Sequence, residues 1–121
     1  MLAQIGTTDI TKWIQESTYS MNTKSVYEEW EDGNLHRHQQ SIRNRVQGSF
    51  ELVFTTNSDL DDFITLLNSN TEDNLLTITV WVDNENASSE HLMFYEFDGT
   101  SNRQINSSYV YKRFKMTLSE R

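Results

Sequence analysis

The chain contains no cysteine and no proline in 121 residues. Without cysteine there is no disulfide framework, no thiolate metal site and no thiol nucleophile. Average usage predicts about six prolines in a chain of this length, so the turns must be built from other residues. Eleven asparagines, with aspartate, serine, threonine and four glycines, are available for that purpose. They turn a backbone by bonding to it through short polar side chains or by accepting positive φ. Positive charge is scarce as well, with ten Lys and Arg against eighteen Asp and Glu, a net charge of −8 and a pI near 4.7. A surface of that sign opposes general binding to nucleic acid or anionic lipid, because counterion release needs cations. No apolar run approaches the roughly 20 residues that span a bilayer. The opening MLAQIGTTDITKW has neither the basic nor the apolar segment of a secretory signal. The expectation is a soluble protein made in the cytoplasm, with the N-x-S triplets at Asn86 and Asn106 serving as turns.

A content of 36% hydrophobic and 12% aromatic residues suits a folded chain, and the length suits one domain over residues 1–121. Acids gather where turns are expected, at Glu28 to Asp32, Asp59 to Asp62, Glu72 to Asp73 and Asp83 to Glu85; bases gather at Arg37 to Arg45 and Lys112 to Lys115. The stretch before Trp13 supports one short strand or helical turn. Tyr19 to Tyr27 has the composition of an edge strand, and Asp32-Gly33-Asn34 suits the hairpin loop after it. From Ile42 to Phe54 the apolar residues Ile42, Val46, Phe50, Leu52 and Phe54 share one parity, a half-buried strand in which Gly48 marks a bulge or close approach. In SDLDDFITLLN, Leu60, Phe63, Ile64 and Leu67 fall at i, i+3, i+4 and i+7, which predicts one α-helix at about residues 59–68. Ser58 is the expected cap, with Asp61 as its reciprocal partner. Strands at Leu75 to Val82, Leu92 to Phe97 and Ser107 to Leu118 follow at hairpin spacing. The fold class is therefore α+β, mainly antiparallel β, a sandwich or small barrel with one helix on a face or opening.

Reaction chemistry finds little support. His36 and His38 at i, i+2 could point the same way, but the third histidine is the distant His91, and a closed zinc site needs four ligands. Asp59, Asp61 and Asp62 sit where a helix start stabilises ionised carboxylates. There is no G-x-S-x-G, Walker loop or H-E-x-x-H. No catalytic, metal or cofactor-binding residue is assigned, and the expectation is a protein that is not an enzyme. Arg43, Arg45 and Gln47 with Tyr109 and Tyr111 could touch a single strand of nucleic acid, but the acidic balance argues against a sequence-specific nucleic-acid partner.

The strand Leu92 to Phe97 is apolar on both faces, with Leu92 and Phe94 on one and Met93, Tyr95 and Phe97 on the other. A single sheet with one helix covers one face well, so the second face calls for barrel closure or another chain. In order and in short motifs, "IRNRVQGSFELVF", "SDLDDFITLLN", "LLTITVWV", "FYEFDG" and "YKRFKMTLSER" together resemble the small tail-associated structural proteins of tailed bacteriophages and prophages of Gram-positive bacteria. The resemblance runs from Ile42 to Arg121 and implies a β protein that assembles into rings with itself and with other tail proteins. It would reside in the host cytoplasm during assembly and in the virion tail afterwards, with no membrane partner. Arg43, Arg45, Trp81, Met93, Tyr95, Phe97, Tyr109 and Tyr111 are the candidate oligomer interface. The alternative is a carbohydrate- or protein-binding β-sandwich module using Trp81, Tyr109 or Tyr111.

Overall fold

From Leu75 to Val82 the side chains alternate between buried and half-buried, as the period of two in LLTITVWV requires. This strand is β6 of eight. The others are β1 (Ala3–Ile5), β2 (Thr8–Asp9), β3 (Ile14–Glu31), β4 (Arg37–Phe54), β5 (Thr71–Glu72), β7 (Ala87–Gln104) and β8 (Val110–Glu120). One helix, α1 (Asn57–Ser69), joins β4 to β5, and a single 3-10 turn spans Thr11–Trp13. The computed structural model describes residues 1–31, 37–104 and 110–121, and for residues 25–31, 37–43 and 100–104 it describes the strand backbone alone. The expected loop Asp32-Gly33-Asn34 lies outside the described residues.

All eight strands belong to one antiparallel sheet ordered β2-β1-β6-β7-β8-β4-β3, with β5 beside β6. The sheet curls into a half-barrel with the helix at its concave side. Of the two arrangements expected, the barrel-like one is adopted, because no second sheet exists among the described residues to make a sandwich. The curl brings the far ends of the sheet together at one place. Tyr19 of β3 points its hydroxyl at the carbonyls of Trp81 on β6, 2.5 Å away, and of Leu2, 3.1 Å away. In the turn after β6, Asp83 and Asn84 clamp the edge of β3. The Asp83 N–H donates to the Met21 carbonyl at 2.7 Å and its carboxylate accepts from the Met21 N–H at 3.0 Å. Asn84 accepts from the Thr23 N–H at 2.8 Å and donates to the Thr23 carbonyl at 2.9 Å.

Turn chemistry follows the asparagine-rich composition. Asp73 and Asn74 join β5 to β6 with φ of 53° and 65°, the paired positive values of a two-residue hairpin loop. Gly48 is the expected close approach. A Cβ there would lie 2.0 Å from the Ser20 carbonyl oxygen. The cause is an irregularity in β3, whose pairing jumps from Gln15↔Glu51 to Ser20↔Ser49. Thr18 holds this bulge by donating to the Gln15 carbonyl at 2.6 Å and accepting from the Glu51 N–H at 2.9 Å.

The helix spans Asn57–Ser69, and its cap is Thr56, whose hydroxyl accepts from the Asp59 N–H at 3.1 Å. The expected cap, Ser58, is instead an exposed residue of the first turn. Thr56 takes the role because its extended backbone, φ −134° and ψ 150°, ends the strand side of the junction, while Ser58 is already helical. Leu60, Phe63 and Leu67 turn into the core, but Ile64 is 40% exposed and Leu66 packs in its place. Around Phe63 gathers an aromatic cluster, with ring centroids 5.8 Å from Trp13, 5.4 Å from Phe54 and 5.4 Å from Phe97. These contacts fill the concave face, so the half-barrel is a packed core.

Candidate assembly surface

On the face turned away from the core, β7 exposes Glu90, Leu92, Phe94, Glu96 and Asp98. Leu92 and Phe94 are 49% and 50% exposed, the largest bare apolar side chains on the described sheet. They border an open cleft of about 420 Å³ whose other walls are Leu75, Thr77, Glu72, Asp73 and Arg121. Farther along the same sheet, β3, β4 and β8 form a second cleft of about 410 Å³, lined by polar side chains and by Lys24 and Lys115. On the outer face, then, acids and two apolar groups stand on β7, and Lys115 of β8 lies between Asp98 of β7 and Glu51 of β4. Glu51 of β4 is bound to Arg113, whose Nε donates to its carboxylate at 2.8 Å. That hydrogen bond to Glu51 raises the Arg113 pKa above the ordinary guanidinium value.

The candidate interface residues do not share one surface. Arg43 stands opposite Val26, and Arg45 opposite Lys24, a like-charged pair. Arg45 is half-buried, and its Nε has no hydrogen-bond partner. Met93 is fully buried and has no surface to offer a partner. Tyr95 and Phe97, half-buried, pack on the core beside it, the Phe97 ring stacking on Phe114 at 4.5 Å. The parity of β7 is decided by the helix and by β8, which take the Met93 side and leave Leu92 and Phe94 outside. Trp81 and Tyr111 are both half-buried but pair with β7 at Ser88 and at Arg103. Fifteen residues of strand (103 − 88) separate those positions, about 50 Å of extended chain. They do not form one aromatic platform. Tyr109 and His36 lie outside the described residues, and His38 stands opposite Trp30 on β4 with its backbone alone described. Among the described residues no three His, Asp or Glu gather as metal ligands.

One constellation escaped the sequence. At the point where β8 ends, Glu120 bridges its two neighbours: one carboxylate oxygen accepts from the Val46 N–H of β4 at 3.2 Å, and the other is bonded by His91 Nδ1 of β7. The second ring nitrogen of His91 is 2.6 Å from the Ser89 hydroxyl. With the Nδ1 proton directed at the carboxylate, Nε2 is left to accept from that hydroxyl. Hydroxyl, imidazole and carboxylate stand in the order of a nucleophile, its base and an orienting acid. Both carboxylate oxygens are spent on ties between strands, however, which makes the chain a clasp at the end of the sheet. Ser89 and His91 at i, i+2 were the available signal, but the partner 29 residues away was not.

Fold and surface define a class: a mainly antiparallel, one-sheet α+β protein with two bare apolar side chains on its outer face. Compared with known protein families, curated proteins and solved structures, the chain matches none of them.

Proposed function

We propose that this chain is a structural component of a bacteriophage or prophage tail, of tube, distal-tail or completion type, which works by assembling with copies of itself and other tail proteins. The observation that carries the reading is the outer face of the sheet, which leaves Leu92 and Phe94 exposed among Glu90, Glu96 and Asp98 of β7 and carries Lys24 and Lys115 farther along. Such a face is complementary to another copy displaced along it, a heterologous contact that closes into rings when the rotation allows. The resemblance of residues 42–121 to tail proteins supports the same reading and supplies the setting. On it, the protein occupies the bacterial cytoplasm before assembly and the virion afterwards, and performs no catalysis. The test is mass spectrometry of purified, induced particles. Peptides of this chain in intact tails are expected, and tails free of them overturn the assignment.

A further inference from the structure

If the protein assembles as proposed above, the ribbon formed by β3 and β4 shows where. β8 accompanies β4 only as far as Gln47↔Ser119, whereas β3 and β4 stay paired out to Glu31↔Arg37. Beyond Val46, then, the sheet narrows among the described residues to two strands with two outer edges. A two-stranded ribbon is marginal in water by itself, and a strand edge is a template for another strand. Nearer the body, the chain closes the β3 edge itself, because Asp83 and Asn84 take the backbone groups of Met21 and Thr23. Among the described side chains that clamp ends at Thr23. By the alternation of an antiparallel ladder, the backbone groups of Ser25, Tyr27, Glu29 and Glu31 continue the same outward series along the ribbon.

The two strands of the ribbon carry opposite charge. From Val26 to Glu31, β3 holds Glu28, Glu29 and Glu31 and no base; from Arg37 to Arg45, β4 holds Arg37, Arg43 and Arg45 and no acid. We propose that this ribbon is the assembly arm and that its partner is a second copy: the acidic outer edge of β3 in one molecule adds as a strand to the basic outer edge of β4 in the next. Since β3 and β4 run antiparallel, arms projecting in the same direction meet antiparallel, and the ladder continues from copy to copy across the bulge that β4 carries opposite Val26 and Tyr27. Such strand addition takes its affinity from backbone hydrogen bonds and its selectivity from side chains. The contact is head to tail, so it propagates.

Sedimentation velocity of the full chain tests this with two charge-reversed variants. Glu28→Lys with Glu29→Lys makes both edges basic, and Arg43→Glu with Arg45→Glu makes both acidic. Each alone should associate roughly tenfold or more weakly than the unaltered chain, through like-charge opposition. Their equimolar mixture should recover association, because acidic and basic edges then alternate between unlike copies. A mixture no stronger than its parts overturns the proposal, as does an unaltered chain that stays monomeric at every concentration. Should a reversed ribbon melt, cysteine reporters serve, since the chain has no thiol of its own. A copy with Glu29→Cys mixed with a copy carrying Gln39→Cys should cross-link faster than either alone, and equal rates overturn the arm. Association that ignores the reversals sinks the arm and leaves the tail reading standing. Absence of the chain from tails removes that reading while arm pairing stays measurable on pure protein.

Discussion

Single side chains hold this half-barrel at a few long-range points. Tyr19 is the most informative. Its ring stacks on Phe50 at 5.7 Å, and its hydroxyl faces the carbonyls of Trp81 on β6 and of Leu2, just before β1. Burial raises its pKa well above the usual value near 10, with the Asp83 charge adding to the effect. The folded state therefore favours the neutral phenol. Its contribution is fully present below about pH 10 and is lost as pH rises toward the folded pKa. Tyr19→Phe should cost about 1 kcal/mol at neutral pH, the worth of a buried neutral hydrogen bond. In urea titrations the gap between the two proteins should narrow above pH 10, as ionisation of the unfolded tyrosine erodes the unaltered chain alone. The helix cap gives a second residue-scale expectation. Thr56→Ala should lower stability by about 1 kcal/mol, and Ser58→Ala should leave the urea midpoint in place. The reverse order would return the cap to Ser58.

Among the elements, β8 is the strand that unites the sheet, because β4 and β7 lie on either side of it and each continues past its end. Glu120 finishes it by bonding to both neighbours. Glu120→Ala removes the acceptor from the Val46 N–H and the partner from His91, so amide exchange should quicken at Val46 and around Leu92, whose carbonyl accepts from the Arg121 N–H at 3.2 Å. Exchange in β1, which pairs with β2 and β6 and touches neither Glu120 nor His91, should not change. Uniform acceleration across the sheet would mean that the clasp governs global unfolding. The helix behaves differently, as a plug whose Leu60, Phe63 and Leu67 fill the concave face. Its role in the molecule is packing, and the outer face owes it only the choice of which side of β7 is left bare.

For the whole molecule, the adjacent exposed pair Leu92 and Phe94 on the outer face of the sheet is the feature that monomeric life does not require. Replacing Leu92 and Phe94 together by Ser should weaken self-association measured by light scattering while leaving the melting temperature close to that of the unaltered chain, because both are already half in solvent. A large drop in melting temperature would show them to be core residues instead. If charge complementarity contributes, association should also fall as salt is raised from low ionic strength, where the screening length is about 30 Å at 0.01 M, to 0.15 M, where it is about 8 Å. An apolar contact alone would hold or strengthen over the same range.

The single helix and the alternation of β4 and β6 were legible in the amino-acid order, because each depends on a local period that nearby residues enforce. By contrast, β3 and β7 run past the expected Tyr19 to Tyr27 and Leu92 to Phe97, and Glu28 to Glu31, expected as a turn, continue β3. Val46, Phe50, Leu52 and Phe54 on β4, and Leu76, Ile78, Val80 and Val82 on β6, point inward as their alternation demands. Gly48 was readable as a close approach because few other uses exist for a glycine inside an apolar strand. What the local pattern could not decide was anything resting on two distant segments. Ile64 satisfies the helical spacing yet faces solvent, since where the curled sheet meets the helix is a property of the sheet. The strand Leu92 to Phe97 is apolar on both faces, and only the packing of Met93, Tyr95 and Phe97 on the core shows which face is left outside. Tyr19 and Trp81 meet across 62 positions, and so do Met21 and Asp83, because the half-barrel curls. A sequence read in windows carries the period of each strand, but the curvature of the sheet is a sum over all of them, and that sum chose the partners.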